Sequence, residues 1–540
     1  MAYIVTRRSG ASTYYLEVQG YRENGKVKQR VLRYFGTTDP RKDPAARPIT
    51  KKSVVATYRF GDVALLYHVA KKINMIEVIN RYVSKRQGLS LGLQVFLMVC
   101  HRLLDDKPSS SNLVRWVKTT HLPFLLQFDP ERLTLNTQVY TMDKIYDEQH
   151  NIDHMLRIAH DLYLNAQRLL GKEEHTYFYD ITSTYFEGKC CPIARLGYSR
   201  DGAIDKLQIN IGMVVNGVYG LPMMTKVFEG NINDATTVYE MVYYAKFILQ
   251  KKKGLLIMDR GMDSEENIRI MDTAKYDYII GLRGTHAFVE ELKSNTDPAT
   301  NDWDTFKNND VTIQLKKFSK NLFGKRRIVL LYYNPKMAQE QQEHRAHRIE
   351  QIERALKDAR KLTIEKAKEI IKGMSAYFVL TPSSDGVQWR INQVALNQAD
   401  RKSGKFSLIT NKNISPKEIY QLYFSKDKVE KGFRHLKQDI ALHPTRKRLT
   451  DRVRVDVFLC HLAYLLLVST EQLIRQEKID VFWDGLSSET KEIRLLEYRD
   501  MKGQTDFQIV TNTQIQKNIV DKIGLSKYLP MVTTNQRMSS

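Results

Sequence analysis

The sequence predicts an α/β layer fold, a mixed sheet flanked by helices, inside a longer multidomain chain. Three observations predict it. Strand-like runs follow one another at 176–186, 207–216 and 220–228. Helix and strand then alternate, with a helix at 234–251, a strand at 254–259, a helix at 264–274 and a strand at 276–282. The 540 residues correspond to roughly three to four domains at about 100–200 residues each.

Residues 1–48 read as a β-rich segment and linker. The stretch "YLEVQGYRENGKVKQRVLRYFG" alternates like strands, Asn24-Gly25 is a two-residue hairpin turn, and Lys26, Lys28 and Arg30 share one face. That face is read equally well as a DNA-facing stripe or as a solvated surface. "TTDPRKDPAARP" (37–48) has three prolines and no apolar period, so it reads as a linker. Residues 49–172 carry helical periodicity, with Leu65, Val69 and Ile73 at steps of four. Residues 173–284 hold the sheet just described. Residues 285–412 differ in texture, with strands such as "TIQLKKF" and "RRIVLLYY" and a charged helix near 336–373 that reads as a solvated arm. Residues 413–475 contain a further helix pair, and 476–540 read as a polar tail, an interaction helix or partly disordered. The apolar run "VFLCHLAYLLLV" (457–468) is too short to span a bilayer and reads as a buried helix.

Lys and Arg number 84 against 61 Asp and Glu, a net charge of +23. Such a surplus points to an extended polyanion, nucleic acid first. The hydrophobic share of 42% excludes global disorder. Cys100, Cys190, Cys191 and Cys460 form no C-x-x-C pair, which fits a reducing cytosol and gives no zinc site. The opening "MAYIVTRRSG" has no apolar signal region. There is no GxxxxGK[ST] loop, so ATP is not expected, and no membrane anchor is read. His344 and His347, three apart on the charged helix, lack a third ligand in reach.

Two aspartates raise the chemical question. Asp180 lies in the middle of "TYFYDITSTYFEG", and a carboxylate in a buried strand costs several kcal/mol unless paired, hydrogen-bonded or bound to a cation. Asp259 ends the strand "GLLIMD", where ligand-binding groups of open α/β sheets gather. Asp263 or Ser264 reads as the cap of the following helix. A third carboxylate sits in "IYQLYFSKDKVEKGFRHLKQDI". Taken as one helix, Tyr423, Lys426, Glu430 and Lys437 fall on one edge, beside an apolar stripe of Leu422, Val429, Phe433, Leu436 and Ile440. Gly432 lies in its middle. Asp180, Asp259 and Glu430 together could hold two divalent ions about 4 Å apart. Their hard oxygens suit Mg²⁺, with Mn²⁺ substituting. Tyr423, Lys426 and Lys437 would grip phosphates about the scissile bond, with Arg434 and the basic run holding Arg446, Lys447, Arg448, Arg452 and Arg454 as further DNA contacts.

The order Asp, Asp, Glu with Tyr-x2-Lys-x3-Glu-x6-Lys resembles the DDE transposases of the IS4 superfamily, whose mark is Y-x2-R-x3-E-x6-K. "TYYLEVQGYRENGKVKQRVLRYFG", "YDITSTYFEG", "GYSRDGAIDKLQINIGMVV", "FEGNINDATTV", "LLIMDRGMDSEEN" and "VEKGFRHLK" are similar to the IS1634-type group in particular. The resemblance implies an RNase H-like catalytic core interrupted by a mainly β insertion at 285–412. It implies Asp180, Asp259 and Glu430 as the metal-binding triad, and Tyr423, Lys426 and Lys437 as phosphate contacts. It implies metal-dependent cleavage at inverted-repeat ends, strand transfer of a 3′-hydroxyl into target DNA, and a homodimer on double-stranded DNA in a prokaryotic cytoplasm. End recognition is expected in residues 1–170. One departure stands out: the family's arginine is Lys426 here, a point charge in place of a fork. The alternatives kept open are an RNase H-like nuclease that does not join strands and an inactive DNA-binding protein. Asn231, Asn233 and Asp234 precede a helix, and capping accounts for Asp234. Asp201 and Asp205 read as turn residues, and Trp303 as a residue either buried or stacking a base.

Overall fold

The computed structural model describes residues 2–530 except 10–11, 24–25, 44–52, 86, 172–174, 201, 204, 249–252, 301, 360–361, 384–385, 439, 441, 443–446 and 500–503. The Asn24-Gly25 turn, Asp201, Arg446, part of the linker and the last ten residues therefore lie outside the described residues. Two compact units divide the chain, Met1–Thr141 with Ser469–Ser540, and Met142–Val468.

In the first unit, strand-forming residues build an antiparallel sheet of β1 (Ala2–Ser9), β2 (Ser12–Glu23) and β3 (Lys26–Tyr34) in that order. Lys26, Lys28 and Arg30 are exposed, and Lys28 pairs with Glu23 at 2.5 Å. A strand the sequence reading lacked follows, β4 (Ser53–Arg59). Helices α1 (Gly61–Lys72), α2 (Met75–Tyr82), α3 (Leu91–Leu104), α4 (Leu113–Lys118), α5 (Leu122–Leu126) and α6 (Leu135–Ile145) come next. Leu65, Val69 and Ile73 are buried, as their shared helix face requires.

The second unit is organised by one sheet. A two-residue ladder, β5 (Tyr146–Asp147) with β6 (Ile152–Asp153), and α7 (Met155–Leu170) lead into β7 (Thr176–Tyr185), β8 (Gln208–Asn216) and β9 (Pro222–Glu229). Then come α8 (Asp234–Tyr243), β10 (Leu255–Met258), α9 (Glu265–Ala274) and β11 (Asp277–Leu282). These strands stand in the order β9-β8-β7-β10-β11, the first three antiparallel and β7, β10 and β11 parallel. Every residue of β8 and β10 is buried, and β10 accordingly reads as a continuous apolar run.

Residues 285–412, expected as a mainly β insertion, do not stand apart. After α10 (Ala287–Asn295), the strands β12 (Asp304–Asn308), β13 (Val311–Leu322) and β14 (Lys325–Tyr333) extend the same sheet. Helices α11 (Pro335–Lys357) and α12 (Ile364–Ile370) and the hairpin β15 (Phe378–Ser383) with β16 (Gly386–Ile391) enclose a small core around Ile349, Ile352, Leu356, Ala367, Ile371 and Phe378. The charged helix is thus solvated on one side only. After α13 (Gln393–Lys402), β17 (Lys405–Thr410) inserts between β14 and β11, antiparallel to both. The result is a nine-stranded sheet. The reason is the edge of β11: its N–H and C=O groups are buried and need a strand beside them.

Beyond α14 (Pro416–Phe424) and α15 (Asp427–Gln438) runs α16 (Thr450–Gln476). At 27 residues it is long and apolar enough to cross a membrane, but 89% of its apolar window is buried inside the protein. It is the buried helix expected, and the argument from shortness is corrected. Residues 476–530, read as a tail, are folded in the first unit: α17 (Trp483–Lys491), β18 (Arg494–Arg499), β19 (Thr505–Val510) and α18 (Gln514–Ile523), with β18 paired to β4. Polar composition hid this because the stretch buries only scattered apolar residues, among them Trp483 and Leu486 on α17, Leu495 on β18, and Ile519 and Ile523 on α18.

Candidate active site

The register of the central strands sets the two aspartates side by side. β7 and β10 pair in parallel with Tyr179 opposite Met258, so one further step puts Asp259 beside Asp180. On the other flank Met258 pairs with Ile280, which puts Gly281 beside Asp259. Aligned residues of parallel strands point to the same face, so both carboxylates share one.

A helix pair covers that face. The segment read as one helix is broken: α14 ends at Phe424 and α15 starts at Asp427. Ser425 Oγ donates to the Leu422 carbonyl at 2.7 Å, and Lys426 N reaches the Tyr423 carbonyl at 3.3 Å, tightening the turn. The continuous wedge of four residues is therefore corrected, yet Tyr423 and Lys426 still meet on one carboxylate. Tyr423 OH donates to Asp259 Oδ1 at 3.3 Å and Lys426 Nζ to the same oxygen at 2.9 Å. Lys426 Nζ also lies 3.6 Å from Glu430 Oε1. The approach of Tyr423 depends on Gly281, where any Cβ would fall well inside contact distance of the tyrosine hydroxyl. Gly432 has a similar reason: a Cβ there would stand 2.8 Å from Met213 Cε and 2.9 Å from Tyr464 OH, so α15 can lie close on β8.

The electrostatics follow. Burial pushes the Asp180 carboxyl up to about 6; the Asp259 charge adds to the rise, while the Ile181 N–H (2.8 Å), Lys426 and Arg200 oppose it. Burial also acts upward on Asp259, but the Lys426 ammonium outweighs it and holds that carboxyl below its ordinary value. Lys426 in turn is raised: burial acts downward, and Asp259, Asp180 and Glu430 together outweigh it. Burial, followed by the Asp259 charge, drives the Tyr423 hydroxyl upward, so it stays a donor.

Among the described residues, no three His, Cys, Asp or Glu groups stand as found in a metal-holding cluster. The oxygens nevertheless fit a cation. Lys426 Nζ already sits between Asp259 and Glu430, a positive charge where hard carboxylate donors converge, and Glu430 is the outward member, its side chain 57% exposed.

The other expected residues are dispersed. Arg434 is exposed and Lys437 partly exposed on α15; Lys447 and Arg448 lie before α16. Arg452 is tied to Asp143 at 3.0 Å, and Arg454 to Tyr146 and to Glu148 at 3.9 Å. Asp263 is buried and holds Arg283 and His286, while Ser264 caps α9. Trp303 is 7% exposed and donates to the Asp297 carbonyl at 2.7 Å, so it offers no open face for a base. Sequence reasoning missed Arg200, whose charge reaches Asp180. The only signal was its position in "GYSRDG".

The family described as transposase DDE domain matches residues 180–466, more than half of the chain, and the span contains all three candidate carboxylates. The chain belongs to the DDE transposases, DNA endonucleases and strand transferases that work with divalent metal ions. The family described as IS1634 family transposase, N-terminal domain, matches residues 3–53. It is therefore an insertion-sequence transposase of the IS1634 type. None of the curated proteins matches it. Among solved structures, a cryo-EM structure of a piggyBac transposase synaptic complex with hairpin DNA is similar with a TM-score of 0.37 and 10% identity, over 88% of this chain and 86% of that one.

Proposed function

We propose that Asp180, Asp259 and Glu430 are the catalytic carboxylates and hold two Mg²⁺ ions, replaceable by Mn²⁺, in an RNase H-like core. The observation that carries this is the parallel register that sets Asp259 beside Asp180, with Lys426 bridging from Asp259 to Glu430. The order β9-β8-β7-β10-β11, three antiparallel strands followed by two parallel ones, supports the core assignment.

When bound, the ions activate water or a 3′-hydroxyl and neutralise the leaving 3′-oxygen of an in-line displacement. The chain supplies the rest. Asp180 and Asp259 give the fixed oxygens, Asp180 from within β7 and Asp259 from the residue that ends β10. Glu430, on the first turn of α15, would supply the third carboxylate. Lys426 would neutralise a DNA phosphate beside these carboxylates, and Tyr423 donates to Asp259. Lys437, Arg434, Lys447 and Arg448, with Arg446 of the same basic run in the sequence, are further phosphate contacts. Residues 1–170 recognise the element end, and a homodimer holds two ends, each site serving one.

The test uses wild type, Asp259→Ala and Glu430→Gln on a labelled duplex carrying the terminal repeat that flanks the coding sequence, with Mg²⁺, Mn²⁺ or EDTA. Wild type is expected to cut and join with either metal only. Both variants are expected to shift the duplex in a native gel and cut nothing. Cutting by Asp259→Ala would move the active site elsewhere, and cutting without joining by wild type would reduce the enzyme to a nuclease.

A further inference from the structure

Arg200 and Asp234 form an ion pair, Nη2 to Oδ2 at 2.6 Å, with side chains 25% and 28% exposed. The Asp234 carboxylate is not spent on its helix. Asn233 caps α8, its Oδ1 accepting from Ala235 N at 3.1 Å, which corrects the capping role expected of Asp234. Asp234 Oδ2 instead overhangs the turn after Asp259: a Cβ on Gly261 would lie 3.3 Å from it. Arg200 is fixed at its other end too, its backbone N donating to Ser183 Oγ on β7 at 3.0 Å. The loop of Arg200, β7, α8 and the turn after Asp259 thus meet about this ion pair.

The pair approaches from the side opposite Lys426. Along β7, alternate residues face opposite ways. Tyr179 and Ser183 face α8, where Tyr179 OH meets Thr237 Oγ1 at 2.6 Å. Asp180 and its cross-strand partner Met213 face α15, against Gly432. Lys426 thus meets Asp259 on the face the carboxylates share, and the Arg200–Asp234 pair lies on the α8 side, against the turn that follows Asp259.

We propose that Arg200 grips a non-bridging oxygen of a DNA phosphate beside the scissile bond, and that Asp234 is the positioning residue that aims it. The inference rests on the assignment of Asp180, Asp259 and Glu430 as the catalytic carboxylates. A guanidinium carries five N–H donors in a planar fork, and among the described residues Asp234 engages one of its nitrogens, which leaves a fork edge for a second anion. Position 426 holds a lysine, a point charge without fork geometry. Arg200 supplies the bidentate phosphate grip that Lys426 cannot.

The experiment compares wild type, Arg200→Ala, Arg200→Lys and Asp234→Asn on the terminal-repeat duplex, with each phosphate about the cleavage position replaced in turn by a neutral methylphosphonate. Arg200→Ala is expected to bind the end but cleave about 100-fold more slowly at saturating DNA, and Arg200→Lys to recover little of this. At one phosphate the methylphosphonate penalty seen in wild type is expected to vanish in Arg200→Ala and to shrink in Asp234→Asn. If the penalties multiply at every phosphate in all three variants, or if Arg200→Lys cleaves like wild type, the grip is overturned. Asp259→Ala run in parallel separates the two failures. Should it cleave, the catalytic assignment falls; should it be inert while the Arg200 variants behave as wild type, only the present inference does.

Discussion

Lys426 touches two carboxylates at once, and this defines what its replacement does. Without it Asp259 loses the cation that lowers its carboxyl and, under the proposed function, a DNA phosphate loses its neutralising partner. Lys426→Ala is expected to slow single-turnover cleavage by about 10²–10³, while Lys426→Arg, the family's residue, retains most of the rate. A denaturing gel time course reads both. Gly281→Ala is a steric counterpart. It drives the Tyr423 hydroxyl off Asp259 and is expected to cost about 1–3 kcal/mol of stability, as overpacked sites do, together with loss of cleavage. Urea unfolding of the variant and its cleavage assay check the two halves.

At the scale of elements, β17 decides the sheet. Leu408 and Ile409 are fully buried between β14 and β11. Ile409→Ala is expected to cost about 2–5 kcal/mol and to speed amide exchange across β11 and β14. Ile352→Ala, in the small core of α11, α12, β15 and β16, is expected to loosen exchange there alone and leave cleavage intact. Much of this architecture was legible beforehand. β10 and β11 were readable because their apolar runs are nearly unbroken, and β7 because its apolar and aromatic run encloses Asp180, a carboxylate that a buried strand tolerates only with a partner. Asp180 and Asp259 drew notice by lying within a strand and at the end of one, and Glu430 by its helical spacing from Tyr423 and Lys426. What was hidden is non-local. Nothing near residue 405 says that its strand lies against β11, and nothing in residues 53–59 announces β18. The break at Ser425 was hidden because one side-chain hydrogen bond to the Leu422 carbonyl outweighs a helical periodicity that runs straight through it. Arg200 was hidden because its partner lies thirty-four positions away.

For the whole molecule, protonation and salt are the levers. Burial lowers His68, His101 and His121 to about 4 and His461 to about 3, and Asp105 opposes the shift at His101 only in part. Their folded values lie below the ordinary 6.5, so the unfolded chain takes up protons first. The stability they contribute is complete above about pH 6.5 and is lost as pH falls toward about 4, by up to about 1.4 kcal/mol per pH unit for each histidine. Urea midpoints from pH 7.5 to 5 are expected to fall accordingly, and His461→Leu to flatten its share. The charge of +23 makes end binding steeply salt-dependent. Between about 50 and about 200 mM salt, affinity is expected to drop by roughly 10³ or more if the track contacts about six phosphates, as a filter-binding titration would show.

The pairing of β4 with β18 carries a consequence for how the protein is born. Roughly 430 residues separate the two strands. At a synthesis rate of about 5–20 residues per second, β4 waits roughly 20 to 90 seconds for its partner to leave the ribosome. Over that interval the nascent chain has finished the strands that bear both aspartates while its amino-terminal unit still lacks a wall. An interrupted translation product would carry the cutting chemistry without a completed first unit, so the order of synthesis itself ties a finished first unit to a finished chain.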